Sequence, residues 1–543
     1  MNIFEELLVA RGLVGSTGDV FLSPDYDAKH DPFLLPDMHD AVDRLVLARE
    51  RQEYITIYGD YDIDGLTATT VLLEALKSFG FLHVDTFMPN RFIEGYGLTV
   101  DAIERIANKG AQLIVTVDCG SLSHDPIARA NELGMQVIVT DHHNVAPVQP
   151  DAVAVINPKR PDHTYPFIDL AGVGVAFKFV QALQTKLDGL PIGQEKWLLD
   201  LVALGTVCDV VTLVDENRAN VYWGLKVLAK SRRPGLRALM AVAGVEPEKV
   251  NTRSLGFGLG PRMNAAGRLE TAQHALDLLR ATDPMEALEK AQQLDALNVS
   301  RRADQDKIFK SAIEQAEKYI DDPVLVVSHP DWNHGIIGVV AAKLLEKYKK
   351  PTYILQEMGE MSKGSARSYG DFSAADAIRA SDDIITSGGG HKLAAGVTLP
   401  TENISTFRAR VNEFYRTQNL FNQAALLLPK ADITVDRFAS ITEHIMTLIE
   451  KLEPFGNGNP EPILRSENVL VMNLRRMGAD AQHVKLELRD GSGTTMQFIA
   501  FSAPATFFVD PGEYITIWYQ PTINEWQGRR NVEGRLLHLE RHG

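Results

Sequence analysis

Cysteine is nearly missing from this chain: Cys119 and Cys208 are the only two in 543 residues. Two thiols supply neither a disulfide framework nor a thiolate zinc site, so any metal is held by oxygen and imidazole. Long apolar runs are missing as well, and none reaches the ~20 residues needed to span a bilayer. Glu5 and Glu6 interrupt the first apolar stretch, which argues against a secretory signal and for a cytoplasmic protein. Positive charge is short, with 55 Lys and Arg against 71 Asp and Glu and a net charge of −16. Phosphate binding draws mainly on Lys and Arg, so this balance speaks against a nucleic-acid partner unless the cations are gathered. Residues 218–280 do gather them, with eleven Lys or Arg against four acids. That segment reads equally as a phosphate-binding face or as a solvated helical surface.

The rest of the composition is ordinary globular material, with 23% charged and 45% hydrophobic residues. A chain of 543 residues is too long for one core, and about 150 residues per domain predicts three or four domains.

Acids crowd into one short stretch. Tyr58-Gly59-Asp60-Tyr61-Asp62-Ile63-Asp64-Gly65 sets three Asp on alternate residues directly after the apolar run Ile55-Thr56-Ile57. If that run is a buried strand, Asp62 and Asp64 leave the same side of the chain at its carboxyl end. Crowded carboxylates raise one another's pKa unless a cation sits between them, so the stretch reads as part of a divalent-metal site or as a solvated acidic turn.

From residue 54 a repeating pattern predicts strands at 54–58, 84–88, 113–117 and 136–140, alternating with helices at 66–79, 99–108 and 125–133. Strands that are apolar throughout and alternate with helices imply a parallel sheet covered on both faces. Asp118-Cys119-Gly120 ends one strand and Asp141-His142-His143 another. Three polar clusters thus fall on the edge where open α/β sheets bind ligands. Asp209 lies in the otherwise apolar stretch 198–214, where an unpaired carboxylate is costly, and metal ligation outweighs a helix cap or an ion pair.

Two carboxylates of the first cluster with Asp118, His142 and Asp209 make an oxygen-dominated set suited to manganese or magnesium. It is large enough for two ions, a common device for hydrolysing phosphate esters. His143 adjoins it, as a donor to phosphoryl oxygens or as a histidine bound to nearby backbone.

These residues carry a family resemblance. Asp141-His142-His143 with Asp62-Ile63-Asp64, Asp118 and Asp209 resemble the DHH phosphoesterase superfamily. Within it, Gly59-Asp60-Tyr61-Asp62-Ile63-Asp64-Gly65, Pro261-Arg262-Met263-Asn264-Ala265-Ala266-Gly267-Arg268 and Gly388-Gly389-Gly390-His391-Lys392-Leu393-Ala394-Ala395-Gly396 resemble the RecJ single-stranded-DNA exonucleases. So does Leu452-Glu453-Pro454-Phe455-Gly456-Asn457-Gly458-Asn459-Pro460. Tyr58 stands where some pyrophosphatase-like members carry a metal-binding His, which fits the exonuclease branch.

The resemblance implies 5′ to 3′ hydrolysis of single-stranded DNA to 5′-mononucleotides, with Mn2+ or Mg2+, in recombination and repair. It implies Asp62, Asp64, Asp118, His142 and Asp209 as ligands of two ions, and places His143, Asp118, Asp141 and Asp60 in the catalytic set. Asp60 and Asp141 would orient the ligands through hydrogen bonds. Arg91, Arg262, Arg268, Ser365, Arg367, Gly389, Gly390 and His391 correspond to substrate contacts. Holding the terminal phosphate with Arg262, Ser365, Arg367 and His391 would fix the polarity. Single-stranded DNA is the implied substrate, and a single-strand-binding protein and a helicase are the implied partners.

On this reading the fold is α/β: an N-terminal lead-in (1–50), a parallel-sheet DHH catalytic domain (51–283) and a connecting helix (284–320), then a smaller α/β DHH-associated domain (321–425) and a C-terminal OB-like β-barrel (426–543). The helix would run roughly 50 Å, enough to join two domains. The glycine run before His391 reads, as a bare pattern, more as a loop than as a phosphate site, and the resemblance raises the second reading. Short strands at 469–474, 483–488, 495–501, 514–519 and 530–536 suit the barrel, a common binder of single strands. Of its aromatics Phe498, Phe501, Tyr519 and Trp526, most are expected in the core, with Trp526 the first candidate for the surface. Two other functions stay open: an oligoribonuclease or nucleotide phosphatase of the same superfamily, which needs no barrel, and a non-catalytic replication scaffold, which needs no acid cluster.

Overall fold

The first domain is built on one parallel sheet of β1 (Ile55–Gly59), β2 (Val84–Phe87), β3 (Leu113–Val117), β4 (Gln136–Thr140) and β5 (Ala154–Ile156). The computed structural model describes residues 1–95, 97–418, 420, 423–526 and 528–542. β1 and β3 are buried at every residue, which is why they read as continuous apolar runs rather than alternating ones. Each fully buried Val, Leu or Ile contributes about 1.5–3 kcal/mol. The strand order is β2-β1-β3-β4-β5. The order therefore reverses between β1 and β3, and the chain leaves those two strands toward opposite faces, opening a crevice at their carboxyl ends.

The helix that follows β1, Ile63–Ser78, is buried around nearly its whole circumference. It packs against the helices Gly172–Leu183 and Leu199–Cys208. The approach is close because residue 205 is glycine: a Cβ there would stand 2.3 Å from Thr67 Oγ1 and 3.0 Å from Asp64 Oδ1.

The chain divides into two compact units, one of Met1–Gly267, Thr271–Gln292 and Pro429–Gly543, the other of Arg268–Glu270 and Gln293–Leu428. It passes from the first to the second within the long helix Pro284–Ala316. The second unit carries a mixed sheet of β6 (Leu325–His329), β7 (Thr352–Met358), β8 (Met361–Arg367), β9 (Ser387–Gly390) and β10 (Ala394–Pro400), ordered β6-β7-β8-β10-β9. The glycine run is thus not a loop but the edge strand β9, paired with β10. Gly388 is required there, since a Cβ would lie 2.4 Å from Ile378 Cγ2.

The C-terminal strands are β11 (Ile433–Thr434), β12 (Leu464–Met477), β13 (His483–Arg489), β14 (Thr495–Ala500), β15 (Tyr514–Trp526) and β16 (Arg529–Arg541). β12, β13, β14, β16 and β15 pair in that order, and β15 pairs back with β12 to close a five-stranded barrel. Phe498 and Tyr519 fill its core, as expected. Phe501 does not; it is 62% exposed. The Trp526 side chain lies outside the described residues.

The lead-in carries two helices that the sequence pattern did not foretell, Ile3–Ala10 and Gly15–Leu22. Ile3, Phe4 and Leu7 join the barrel's core. Arg218 also serves packing: its guanidinium donates to the carbonyls of Leu452 at 3.1 Å, Glu453 at 2.8 Å and Phe21 at 3.0 Å. Arg233 is half-buried beside Asp200 at 3.0 Å and pairs with Glu74. Both therefore leave the pool of cations that the sequence offered for a phosphate-binding face.

Candidate metal centre

Four chain segments converge on the crevice at β1 and β3. The first is the turn after β1. Asp62 is the N-cap of Ile63–Ser78, its Oδ1 accepting from the amides of Asp64 at 2.9 Å and Gly65 at 3.3 Å. One oxygen is thereby fixed and the carboxylate is aimed before any ligand arrives. Asp64 accepts from the first amides of Gly172–Leu183, Gly172 at 2.6 Å and Val173 at 2.8 Å, where a helix N-terminus favours negative charge. Gly172 admits this: a Cβ there would lie 2.5 Å from Asp118 Oδ1.

The other three segments supply one or more side chains each. Asp118 follows β3 in a left-handed conformation, φ 62°, which Asp tolerates better than most residues. Asp141, His142 and His143 follow β4. Asp209 caps the carboxyl end of Leu199–Cys208.

His142 Nε2 lies 3.2 Å from Asp118 Oδ1, 3.6 Å from Asp209 Oδ2 and 3.8 Å from Asp64 Oδ2. Three groups each bring their ligand atoms within 4.8 Å: Asp60, Asp62 and Asp118; Asp64, His142 and Asp209; and Asp118, His142 and His143. Asp118 and His142 belong to two groups each. Asp60 Oδ1, Asp118 Oδ1 and His142 Nε2 are buried without a hydrogen-bond partner. An unpaired buried polar atom costs about 1–3 kcal/mol, and more when charged. Three such atoms at one place, all lone-pair bearers, fit divalent cations.

The electrostatics agree. Burial and then Asp62 push Asp64 up to about 7. Burial, Asp64 and Asp62 push Asp209 up to about 9. Asp118 and Asp60 rise well above the usual carboxylate range, through burial first and neighbouring carboxylates next. His142 is pushed down to about 3 by burial and by His143, so its imidazole is neutral and its lone pair available.

Asp141 behaves differently. Burial alone would raise it, but hydrogen bonding and charge from His143 hold it well below the usual range. Its Oδ1 accepts from His143 Nδ1 at 2.8 Å and from the amides of His142 at 2.7 Å and His143 at 3.0 Å. An ionised carboxylate only accepts, so His143 Nδ1 carries the proton. Burial works against a charged His143, and the bond to Asp141 outweighs it and raises the imidazole above its ordinary value.

The sequence-predicted substrate residues fall in both units. In the first, the Arg91 guanidinium lies 5.2 Å from the centre of the Tyr61 ring, and Arg262 Nη1 donates to Gly258 O at 2.7 Å. In the second, Arg268 Nη1 donates to Gly335 O at 3.2 Å, and Arg367 Nη1 donates to Ser365 Oγ at 3.2 Å. A Cβ on Gly338, at the start of the helix Ile337–Tyr348, would stand 2.9 Å from Ser365 Oγ and 3.1 Å from Arg367 Nη2. A helix N-terminus, a hydroxyl and a guanidinium therefore adjoin, a combination suited to an anion. Gly390, at φ 135°, is required by the backbone, whereas nothing lies within 4 Å of a Cβ at Gly389. No packing demand explains Gly389, which fits close approach of a ligand to β9. His391 is exposed, its amide donating to Ala394 O at 2.8 Å.

The supports of the site were not foreseen from the sequence. Gly172 and Val173 hold Asp64, and Asn157 Nδ2 donates to His143 O at 2.9 Å and Ser121 Oγ at 2.8 Å. The spaced glycines of Ala171-Gly172-Val173-Gly174 are the one signal that pointed there, as an unusually open helix start.

Comparison with known proteins bears on the family and the fold. Family models match residues 54–206 (DHH family, N-terminal domain), 321–417 (DHHA1 domain) and 432–538 (RecJ OB domain). The chain is similar to the single-stranded-DNA-specific exonuclease RecJ of Bacillus subtilis, 38% identical over 97% of this chain and 66% of that protein's length. It is similar to the protein of the same name from Escherichia coli, 35% identical over 92% of this chain and 89% of that one. Among solved structures, RecJ in complex with Mn2+ from Thermus thermophilus matches with a TM-score of 0.83 at 27% identity, over 99% of this chain and 78% of that chain. An exonuclease RecJ bound to manganese matches with a TM-score of 0.62 at 33% identity, over 72% of this chain and 97% of that chain.

Proposed function

Given that the chain belongs to the RecJ family of single-stranded-DNA-specific exonucleases, we propose that it removes 5′-mononucleotides stepwise from the 5′ end of single-stranded DNA in recombination and repair. The observation that carries this reading is the set of three unpaired buried atoms, on Asp60, Asp118 and His142, at the carboxyl ends of β1, β3 and β4. Asp62, Asp64, Asp118, His142 and Asp209 hold two ions, with Asp60 beside Asp62 and Asp118. Manganese or magnesium held there supplies Lewis acidity toward the phosphoryl oxygens and an activated water.

The chain's own groups do the rest. The helix start at Gly172 fixes Asp64, and the cap fixes Asp62, so both carboxylates are pre-aimed. His143, held by Asp141 and carrying a raised pKa, donates to the charge that develops on a phosphoryl oxygen. In the second unit Arg268, Ser365, Arg367, His391 and the open face at Gly389 take the terminal phosphate, while Arg91 and Arg262 of the first unit contact the strand. Recognition of one chemically distinct end sets the direction. The barrel grips more of the strand through its surface. We place the protein in the cytoplasm, working with a helicase and a single-strand-binding protein.

The test is incubation with end-labelled single-stranded DNA, duplex DNA, short RNA and a nucleotide phosphate, with manganese, with magnesium or with EDTA. Mononucleotide release from the 5′ end of single-stranded DNA, only with metal, is expected. Loss of short RNA alone would mean an oligoribonuclease, and no hydrolysis under either metal a scaffold. Arg367→Ala should erase the preference for a 5′-phosphorylated end; an unchanged preference removes Arg367 from the phosphate site.

A further inference from the structure

Helix geometry is broken at one place beside the metal centre. Residues Ser254–Leu259 form a π-helical turn that runs directly into the helix Gly260–Leu269. The extra residue of a π-turn weakens the hydrogen-bond ladder, so such turns persist mainly where they aim a side chain. Here the turn buries Leu255 and Leu259 completely and turns Phe257 outward, 76% exposed between Gly256 and Gly258. A Cβ on Gly256 would meet nothing within 4 Å, and one on Gly258 would stand 3.4 Å from Val245 Cγ2.

The turn is tied to the site on its other side. Cys208, the residue before Asp209, has its Sγ 3.8 Å from Leu255 O. At Gly260 a Cβ would lie 2.9 Å from Cys208 Sγ and 3.4 Å from Ile63 Cδ1, the residue between Asp62 and Asp64. Arg262 folds back onto the same turn through Gly258 O at 2.7 Å. An exposed aromatic ring is thus carried by a turn that packs on the metal-ligand segments through its buried side and holds Arg262 through Gly258 O. A single exposed apolar residue needs no explanation in general. One presented by an irregular turn, flanked by glycines and abutting the ligand segments, has one in the substrate.

We propose that Phe257 is a positioning residue on which a base of the single strand stacks while its phosphodiester is held at the metal centre. This rests on the exonuclease reading above. A π face is common to all four bases, so the ring grips the strand without selecting sequence, as the activity requires. A duplex end, whose bases are already stacked and paired, offers no open face, so the ring adds to discrimination against duplex.

The experiment pairs a substitution with a strand defect. Wild type, Phe257→Ala and Phe257→Trp are compared on 5′-phosphorylated oligodeoxynucleotides, intact or with one abasic residue moved stepwise through the first eight positions. Stacking on one base is worth about 1–3 kcal/mol, so Phe257→Ala should raise KM between about fivefold and a hundredfold. It should leave kcat within about twofold, and Phe257→Trp should restore KM. At one abasic position the wild-type penalty should match that of Phe257→Ala, and the two should not add. Additive penalties at every position, or a KM for Phe257→Ala within about twofold of wild type, overturn the proposal. If wild type itself hydrolyses none of these strands, the exonuclease reading fails, and that outcome is separate.

Discussion

The first unit holds two buried polar clusters, and they are built on opposite rules. At Glu216 the carboxylate is answered from within: Oε1 accepts from Lys178 Nζ at 2.7 Å and His30 N at 2.9 Å, and Oε2 from the Tyr165 hydroxyl. Lys178 adds a bond to His30 O at 2.5 Å. Around Asp118 the acids outnumber the cations, and polar atoms are left without partners. The Glu216 carboxylate is complete as a piece of protein, while the nearby Lys29 ammonium lies 3.1 Å from the centre of the Tyr26 ring without a hydrogen bond. The second cluster is complete only with cations, and that difference separates a structural network from a site more sharply than burial, which the two share.

Removing a single charge should therefore have opposite consequences in the two clusters. Asp118→Asn keeps the shape and the left-handed backbone but removes a ligand charge. Turnover should fall by about a thousandfold or more, while the metal-free protein melts no lower than wild type. Wild-type turnover in that variant would take Asp118 out of the site. Lys178→Met should do the reverse, leaving a buried carboxylate without its counter-ion. A loss of about 3–5 kcal/mol in urea unfolding is expected, with activity per folded molecule unchanged. If stability holds and activity drops, the two clusters are not distinct in kind.

Asp141→Asn stands between the two. It keeps a side chain behind His143 but loses the charge that holds its imidazole protonated, so turnover should fall about 10- to 100-fold, less than for Asp118→Asn. Equal losses would make Asp141 a ligand rather than a support.

The remaining prediction is on pH. Burial and neighbouring carboxylates push Asp64 up to about 7 and Asp209 up to about 9 in the fold, against 3.8 as their ordinary value. Across that window these two groups hold more protons in the metal-free fold than in the unfolded chain, so their contribution to stability is greatest in acid and falls as pH rises from about 4 to 9, with the lowered His142 opposing it below about 6.5. Saturating Mn2+ should flatten the decline. Melting curves with EDTA and with Mn2+ read both, and parallel curves would deny the crowding.

Much of this was legible in the sequence, for a physical reason. β3 and β4 are buried strands in a parallel sheet, and their apolar runs marked them to the residue. The acids and histidines after them were visible because polar residues at the ends of such runs break the pattern. Long-range pairings were not visible. Nothing near Arg218 indicates that it clamps the carbonyls of residues more than 230 positions later, nor near Ile3 that it packs into the barrel. Glycine at residue 388 suggested a loop because glycine is common in loops; its actual cause, the side chain of Ile378, comes from a helix ten residues earlier. The π-turn was likewise silent, since Ser254-Leu255-Gly256-Phe257-Gly258-Leu259 has no pattern that separates it from an α-helix start.

All of these expectations depend on the Asp118 cluster being a cation site whose carboxyls hold protons until metal arrives. Calorimetric titration of the metal-free protein with Mn2+ at pH 7, in two buffers of different ionisation enthalpy, measures binding and proton release together. Two ions per chain and release of about one proton or more are expected, both curtailed in Asp118→Asn. Binding without proton release, or binding that Asp118→Asn leaves intact, would mean that the crowded carboxyls are not what holds the metal.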